Sequence, residues 1–397
     1  MLKGKEIILG ISGSISAYKS AEIVSKLTKL SAKVICVMTK EATHFITPLT
    51  LQTLSKNRVY TDLFSTDFSE THISLAEIAN VILIAPATAN IISKLSHGAA
   101  DDLLTTISLA TKAPIIIAPA MNEGMWQNPI LQENVAKLKR QGFHFVEPEI
   151  GHLACGKEGK GRLADVSRII KEVEFVLARK ELNGKHVLIT SGPTQEPIDR
   201  VRYISNRSTG RMGFSLAEAA ERRGAKVTLI SGPTLLPSPD VSADIIFVDT
   251  CQEMRKEVMS HFDKCDIFIS CAAVADYRPK NPVATKIKKE KTNLFIELER
   301  NPDILKEVGK IKGDKILVGF SADEEDLIER ACQKLREKNL DMIVANPIEK
   351  GFGHDTNKCT LIKRQGDIID LPLMSKREVA ERMLDEIVKI VRSFNNS

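Results

Sequence analysis

The sequence predicts an α/β protein made of two doubly wound, Rossmann-like domains in tandem. Three observations carry that prediction. The chain has 397 residues, too many for one ordinary core. Short apolar runs alternate with amphipathic ones, the pattern of a parallel sheet covered by helices on both faces. After a turn signal, "NGK" at 183–185, the alternation begins again.

The elements follow in order. "EIILGIS", "KVICVMT", "VILIAPAT", "PIIIAPAMN" and "FHFVEP" read as strands, because continuous apolar runs fit strands buried on both faces. Between them, "SAYKSAEIVSKLTKL" and "NPILQENVAKLKRQG" read as helices, the second with a proline near its start and a glycine at its end. "GHLACGKEGKGRL" (151–163) reads as a mobile, cationic loop holding one thiol. "DVSRIIKEVEFVLARKEL" is then a helix with Asp165 as its N-cap, and the boundary falls near Gly184, giving domains 1–184 and 185–397. The second domain runs through strands "HVLITSG", "KVTLISG", "DIIFVDT", "IFISCAAV", "ILVGFSAD" and "MIVANP", with a helix from about Gly210 to Arg223 after the first. A hairpin, "CTLIKRQGDIIDL", and a terminal helix, "SKREVAERMLDEIVKIVRSF", complete it.

Charge excludes a nucleic-acid domain in either half. The net charge of +5 is spread as 21 basic against 18 acidic residues up to 184, and 35 against 33 after it. The seven cysteines are odd in number and form no C-x-x-C pair, which argues against a disulfide framework and a zinc ribbon. No apolar run reaches the roughly 18 residues of a membrane span, and a cytoplasmic protein is expected.

Gly10 and Gly13 in "GISGSISAYK" are expected to let the first strand turn tightly into a helix whose N-terminus meets an anion. No acidic residue ends the second strand, "VMTK", which disfavours a dinucleotide ribose site and leaves a mononucleotide such as FMN open. "IAPATAN" and "IAPAMN" both leave the sheet with Pro-Ala and end at asparagine, where open α/β sheets bind ligands. Either asparagine alone is more often a helix cap or turn former than a ligand contact.

Together "GSISAYK", "ETHISLA", "PATAN", "PAMN" and "LACGKEGKGRL" resemble the flavin-dependent decarboxylases of phosphopantothenoylcysteine. "TSGPTQEPID", "ISNRSTGRMG", "AAVADYRP", "KIKK" and "NPDI" resemble the CTP-using bacterial phosphopantothenate-cysteine ligases. The resemblance spans essentially the whole chain, in the order of the bifunctional coenzyme A biosynthesis family. It implies an N-terminal flavoprotein-type domain of the homo-oligomeric flavin-containing cysteine decarboxylases and a C-terminal ligase domain.

In the first domain it implies FMN held by Gly13, Ser14, Thr39, Pro86, Ala87, Thr88 and Asn90, with substrate at Ala120, Met121 and Asn122. His72 would be the base, Asn122 would hold the substrate carboxylate or amide, and Cys155 would donate the final proton. Decarboxylating an N-acylated cysteine needs an electron sink, which a flavin supplies by oxidising the Cβ–S unit and later returning the electrons. Lys157, Lys160 and Arg162 beside Cys155 favour its thiolate, in tension with an acid's role unless they hold the substrate phosphate.

In the second domain the resemblance implies that Lys286 assists formation of an acyl-cytidylate and that Asn206 handles it in the cysteine-dependent step. CTP would contact Ser270, Cys271, Ala272, Asp276, Lys286, Asn301, Pro302, Asp303, Ile304, Phe320, Lys334 and Lys338, with Asp276 also a candidate Mg2+ ligand. Lys334 and Lys338, four apart on a predicted helix, should share a face. Substrates would be phosphopantothenate, cysteine and CTP, and the assembly a dodecamer of trimers with dimerised ligase domains. Two other readings stay open at this level: a regulatory flavoprotein with a degenerate ligase half, and a dehydrogenase with two dinucleotide domains.

Overall fold

A computed structural model describes all residues except 1, 65–70, 153–155, 157, 240, 289–293, 324, 348–353 and 396–397, and the side chains of 394 and 395. The chain divides into two compact units, Met1–Ala178 and Arg179–Ser397.

In the first unit the strands are β1 (Glu6–Ile11), β2 (Lys33–Met38), β3 (Val59–Tyr60), β4 (Val81–Ala87), β5 (Ile115–Pro119) and β6 (His144–Phe145). They form one sheet in the order β3-β2-β1-β4-β5-β6, parallel throughout. The reversal of strand order between β1 and β4 is the switch point at which such sheets bind ligands. The helices are α1 (Lys19–Lys29), α2 (Pro48–Ser55), α3 (Thr71–Ile78), α4 (Ala89–His97), α5 (Leu103–Ala110), α6 (Glu123–Trp126), α7 (Pro129–Arg140) and α8 (Val166–Leu177).

Alternate residues of each strand feed two cores. Ile7, Leu9 and Ile11 pack with helices α1 and α8, while Ile8, Ile82 and Ile84 pack with α5 and α7. Burial on both faces explains why these strands carry unbroken apolar runs. Cys36 belongs to this core, and burial pushes its thiol up to about 12. Asp165 caps α8, its Oδ1 accepting from the Ser167 amide at 2.8 Å. "FHFVEP" contributes only the two-residue β6, whose last bond to β5 is donated by the Val146 amide to the Ile117 carbonyl at 2.9 Å.

The second unit repeats that wiring with β9 (His186–Ser191), β10 (Gln195–Pro197), β11 (Tyr203–Ser205), β12 (Lys226–Ser231), β13 (Asp244–Phe247), β14 (Ile267–Ser270), β15 (Tyr277–Pro279), β16 (Leu298–Arg300), β17 (Ile316–Asp323) and β18 (Met342–Pro347), numbering from β7 and β8 described below. β19 (Thr356–Lys363) and β20 (Ile368–Ser375) form the expected hairpin. The main sheet runs β13-β12-β9-β14-β17-β18-β19-β20, parallel as far as β18 and antiparallel beyond. Helices α9 (Arg211–Arg222) and α13 (Lys376–Asn395) cover one face; α10 (Cys251–Phe262), α11 (Ile304–Lys310) and α12 (Leu327–Glu337) cover the other.

Candidate active sites

At the carboxyl edge of the first sheet, the first turn does not form as expected at Gly10. That residue stays inside β1, and a Cβ there would stand 2.5 Å from a Leu104 methyl, so the glycine admits α5 rather than a turn. Gly13 does sit in the turn, where a Cβ would meet the Glu41 Cβ at 2.4 Å. Ser12 ties this turn to β4: its hydroxyl donates to the Pro86 carbonyl at 2.8 Å and accepts from the Thr88 amide at 2.9 Å. The Ala85–Pro86 peptide is cis.

Ser14, Thr39 and Thr88 are N-caps of the segments that follow β1, β2 and β4. Each hydroxyl accepts from an amide in the first turn that follows, Ser16, Ala42 and Ile91 respectively, so hydroxyls and main-chain amides suited to a phosphate and a neutral ring system cluster just beyond the strand ends. These residues fit the mononucleotide expected there. Asn90 lies one position inside α4 and is exposed, while Thr88 takes the capping role.

"PAMN" leaves β5 with the Ala120 amide donating to the Ala87 carbonyl at 3.0 Å, which joins the two Pro-Ala motifs. Asn122 caps α6, accepting from the Gly124 amide at 2.9 Å, so the bland reading of this asparagine holds locally. His72 is the second residue of α3 and half-buried.

The segment 151–163 corrects the sequence reading. Instead of a loop, its described residues fall mainly in two paired antiparallel strands, β7 (Glu149–His152) and β8 (Glu158–Arg162). Gly159 and Gly161 serve contact rather than mobility. A Cβ on Gly161 would lie 2.2 Å from the Met121 carbonyl, and one on Gly159 would lie 2.4 Å from the Glu123 carboxylate. The Met121 amide donates to Gly161 O at 2.9 Å, and the Lys160 amide donates to Glu123 Oε1 at 3.1 Å. β8 is thereby fastened to the strand end that carries Ala120, Met121 and Asn122. Lys160 lies 5.9 Å from the Trp126 ring centroid and 3.3 Å from Glu147, so this cation is engaged within the unit. Cys155 and Lys157 lie outside the described residues.

In the second unit the strand ends surround a cleft of about 1260 Å³. It is lined by Asn206, Ser270, Cys271, Ala272, Asp276, the stretch Asn301–Ile304, Phe320, Lys334 and Lys338, so the structure brings together every expected nucleotide contact except one. Lys286 does not line it. That residue is exposed in a segment anchored by the Ile287 amide, which donates to Asp199 Oδ2 at 3.2 Å.

Lys334 and Lys338 both reach the cleft but do not act as one face. Lys334 Nζ donates to Ser321 Oγ at 2.8 Å and Asp323 Oδ2 at 2.9 Å, whereas Lys338, just past the end of α12, pairs with Asp303 at 2.8 Å. Burial opposes the charge of both carboxylates, yet the Lys338 ammonium holds Asp303, and the Ser321 hydroxyl followed by the Lys334 ammonium holds Asp323, below the usual carboxylate range. Asn206 donates to the Ala273 and Val274 carbonyls at 3.1 and 3.2 Å. Burial pushes the Cys271 thiol up to about 12, so it stays protonated.

Gly210, at φ +79°, caps α9, and its carbonyl accepts from Ser191 Oγ at 2.9 Å. Gly213 lets that helix approach β9, since a Cβ there would lie 2.4 Å from Ser191 Oγ. Asp276 offers a single carboxylate at the rim, and among the described residues no group of three His, Cys, Asp or Glu could hold a metal ion. That donor set fits Mg2+ carried mainly by nucleotide phosphates and water.

Two acids were missed in the sequence. Glu196 is 1% exposed and accepts from the Cys251 amide at the start of α10. Asp199 accepts from the Val201, Arg202 and Ile287 amides and from the Arg202 guanidinium. Acids placed between prolines and arginines in "TQEPIDRVR" were the available signal.

Comparison with known proteins matches this two-unit plan. A family model described as flavoprotein matches residues 1–178, and one described as DNA/pantothenate metabolism flavoprotein C-terminal domain matches 182–391. The coenzyme A biosynthesis bifunctional protein CoaBC of Bacillus subtilis is 46% identical over 98% of each chain. The chain belongs to the CoaBC family. It is therefore a bifunctional enzyme of coenzyme A biosynthesis, a flavoprotein decarboxylase joined to a ligase.

The CoaBC protein of Escherichia coli is 42% identical, over 98% of this chain and 97% of its own. Among solved structures, the C-terminal domain of a CoaBC protein is 42% identical, covers 54% of this chain and 99% of its own, and has a TM-score of 0.48. A mutant PPC decarboxylase complexed with pantothenoylaminoethenethiol is 33% identical, covers 43% of this chain and 97% of its own, and has a TM-score of 0.40.

Proposed function

We propose that the C-terminal domain joins phosphopantothenate to cysteine at the expense of CTP, and that the N-terminal domain decarboxylates the product to phosphopantetheine with FMN as cofactor. The observation that carries this reading is the docking of β8 onto Met121–Glu123. It seats β8, which follows Cys155 in the sequence, on the strand end where substrate is expected. We take the two domains as 1–184 and 185–397.

In the first site, bound FMN supplies the two-electron oxidation and its reversal. Ser14, Thr39 and Thr88, with the amides beside Gly13, Pro86, Ala87 and Asn90, hold its phosphate and ring. Asn122 orients the substrate carboxylate beside Ala120 and Met121. His72 accepts the proton released as the thiol is oxidised, and Cys155 returns one to carbon at the end.

In the ligase site a carboxylate, a poor acyl donor, becomes an acyl-cytidylate with loss of pyrophosphate. Lys334 and Lys338 exchange their carboxylate partners for the triphosphate, and Asp276 helps hold Mg2+. Ser270, Cys271, Ala272, Phe320 and the stretch Asn301–Ile304 enclose the nucleotide. Lys286 neutralises charge as pyrophosphate departs, and Asn206 orients the anhydride for attack by the cysteine amine.

Exposed Leu49, Ile130, Ile15 and Tyr18 on the first unit favour self-association, for which we propose trimers within a dodecamer and ligase-domain dimers. No described helix is long and apolar enough to cross a membrane; we place the enzyme in the cytoplasm.

Mass spectrometry of a reaction containing phosphopantothenate, cysteine, CTP and Mg2+ tests the scheme. CMP, pyrophosphate, CO2 and phosphopantetheine are expected. Formation of none of them by folded, flavin-loaded protein would overturn it. Cys155→Ser should stop at a species two hydrogens lighter than phosphopantetheine.

A further inference from the structure

The ligase cleft has two sides. Lys334, Lys338 and Asp303 belong to the side covered by α11 and α12. On the other face of the sheet, Val318 of β17, Met342 and Val344 of β18, and Cys359 and Leu361 of β19 pack beneath α9 and α13. Side chains alternate along a strand, so that face continues at the cleft end with Phe320, Asn346 and Asn357. Lys376, the first residue of α13, completes it, and all four line the cleft.

Two of these groups have unmet needs. Lys376 is 5% exposed and is the one buried cation among the described residues of the cleft; no side-chain hydrogen bond or ion pair is formed by it there. Its charged neighbours are Arg211, of the same sign, and Asp355, which Arg211 engages at 2.5 Å. Burial, and then Arg211, lowers its pKa. Asn357 is 1% exposed; its Nδ2 donates to Asn346 Oδ1 at 3.3 Å, while its own Oδ1 has no partner among the described residues. A buried cation without a counterion and a buried amide oxygen without a donor are both costly unless a ligand supplies the missing groups. The twelve-residue helix α9 begins in the same space, with Gly210–Gly213 lining the cleft and first-turn amides able to meet an anion.

We propose that this face is the subsite for the phosphate end of the acyl substrate. Lys376 and the first amides of α9 hold the phosphomonoester, and the Asn346–Asn357 pair hydrogen-bonds the hydroxyl and amide groups along the chain behind it. The inference rests on the ligase reading above. The substrate's carboxylate must meet the nucleotide's α-phosphate and so lies toward Lys334 and Lys338. The phosphate, at the other end of the molecule, then falls to the α9 and α13 side.

The test compares phosphopantothenate with pantothenate, which lacks only the phosphate, in wild type, K376M, K376R and N357A. K376M should raise KM for phosphopantothenate roughly 10- to 100-fold, the loss expected for a charge-assisted hydrogen bond. KM for CTP should stay within about 2-fold, since the lysines proposed to take its triphosphate, Lys334 and Lys338, lie on the opposite side. The preference for the phosphorylated substrate should shrink by the same factor, K376R should recover part of it, and N357A should weaken both acyl substrates alike. An unchanged preference in K376M, or a rise confined to the KM for CTP, overturns the proposal. Should K376M fail to fold, K376Q serves the same comparison. If wild type releases no pyrophosphate, the ligase reading fails by itself. Calorimetric titration of the two acyl compounds into wild type and K376M then decides the subsite, equal phosphate preference in both proteins overturning it.

Discussion

At the carboxyl edge of the first sheet the side chains are hydroxyls and amides, and a glycine hairpin lies against the strand end through main-chain contacts. At the edge of the second sheet a wide cleft is ringed by lysines, two of them already paired with aspartates. The strand order that creates both edges is the same, with reversals between β1 and β4 and between β9 and β14. One wiring therefore serves two chemistries, and what differs is the source of the positive potential. Fixed dipoles and hydroxyls suit a resident flavin whose ring is neutral. Mobile ammonium groups, parked on carboxylates until needed, suit a triphosphate that arrives and leaves.

The sharpest way to break this contrast is to disturb the first edge without adding charge. Gly161→Val pushes a side chain into the Met121 carbonyl, a backbone atom that cannot rotate away. Overpacking of this kind costs about 1–3 kcal/mol, and displacement of a catalytic element by about 1 Å can lower turnover about 100-fold. Decarboxylation should fall by that factor, with nucleotide-dependent pyrophosphate release unchanged. Equal loss of both activities would mean global unfolding instead.

At the second edge the corresponding test removes a cation. K334M should raise KM for CTP roughly 10- to 100-fold, the worth of a charged hydrogen bond to phosphate, and leave decarboxylation alone. The same substitution leaves Asp323, among the described residues, with only the Ser321 hydroxyl and the more distant Arg330 guanidinium, at 3.5 Å. A variant lacking both charges, Lys334→Met with Asp323→Asn, should therefore recover folding stability but not CTP affinity. Recovery of affinity would show that the pair is structural.

Much of the fold was legible because strands buried on both faces write themselves as apolar runs, as "VILIAPA" and "KVICVM" do. The hairpin at 149–162 was not legible. Gly159 and Gly161 record contact with Met121 and Glu123, partners more than thirty residues away, and local sequence reads such glycines as flexibility. The residues that line the second cleft are grouped by motifs that end a strand or open a helix, whereas "KIKK", which does neither, holds Lys286 outside that lining. The pairing of Lys334 and Lys338 with different acids could not be read, because helical spacing fixes where a side chain starts and not which carboxylate it meets. Lys376 and Asn357 were missed for a related reason. A polar residue at the end of an alternating strand, as in "NKCTL", looks like the strand's solvent end until the topology places it under a helix.

The smallest effect expected concerns Asp199, which links the two styles: a charged group doing its work through main-chain amides. The Val201 amide, followed by those of Arg202 and Ile287 and the Arg202 guanidinium, holds its carboxyl below the usual range against the opposing effect of burial. A carboxyl depressed on folding stabilises fully above its unfolded value of about 3.9, and that stabilisation is lost as pH falls through the folded value. Below about pH 4 the segment that includes Lys286 should therefore loosen before the core does. Asp199→Asn imitates this at neutral pH, keeping the shape and removing the charge. If Lys286 acts where proposed, the variant should lose about 10-fold in ligase turnover, with CTP affinity little changed and faster amide exchange at 283–288. Wild-type turnover despite faster exchange would show that the anchored segment does not need its position, and would remove Lys286 from the reaction.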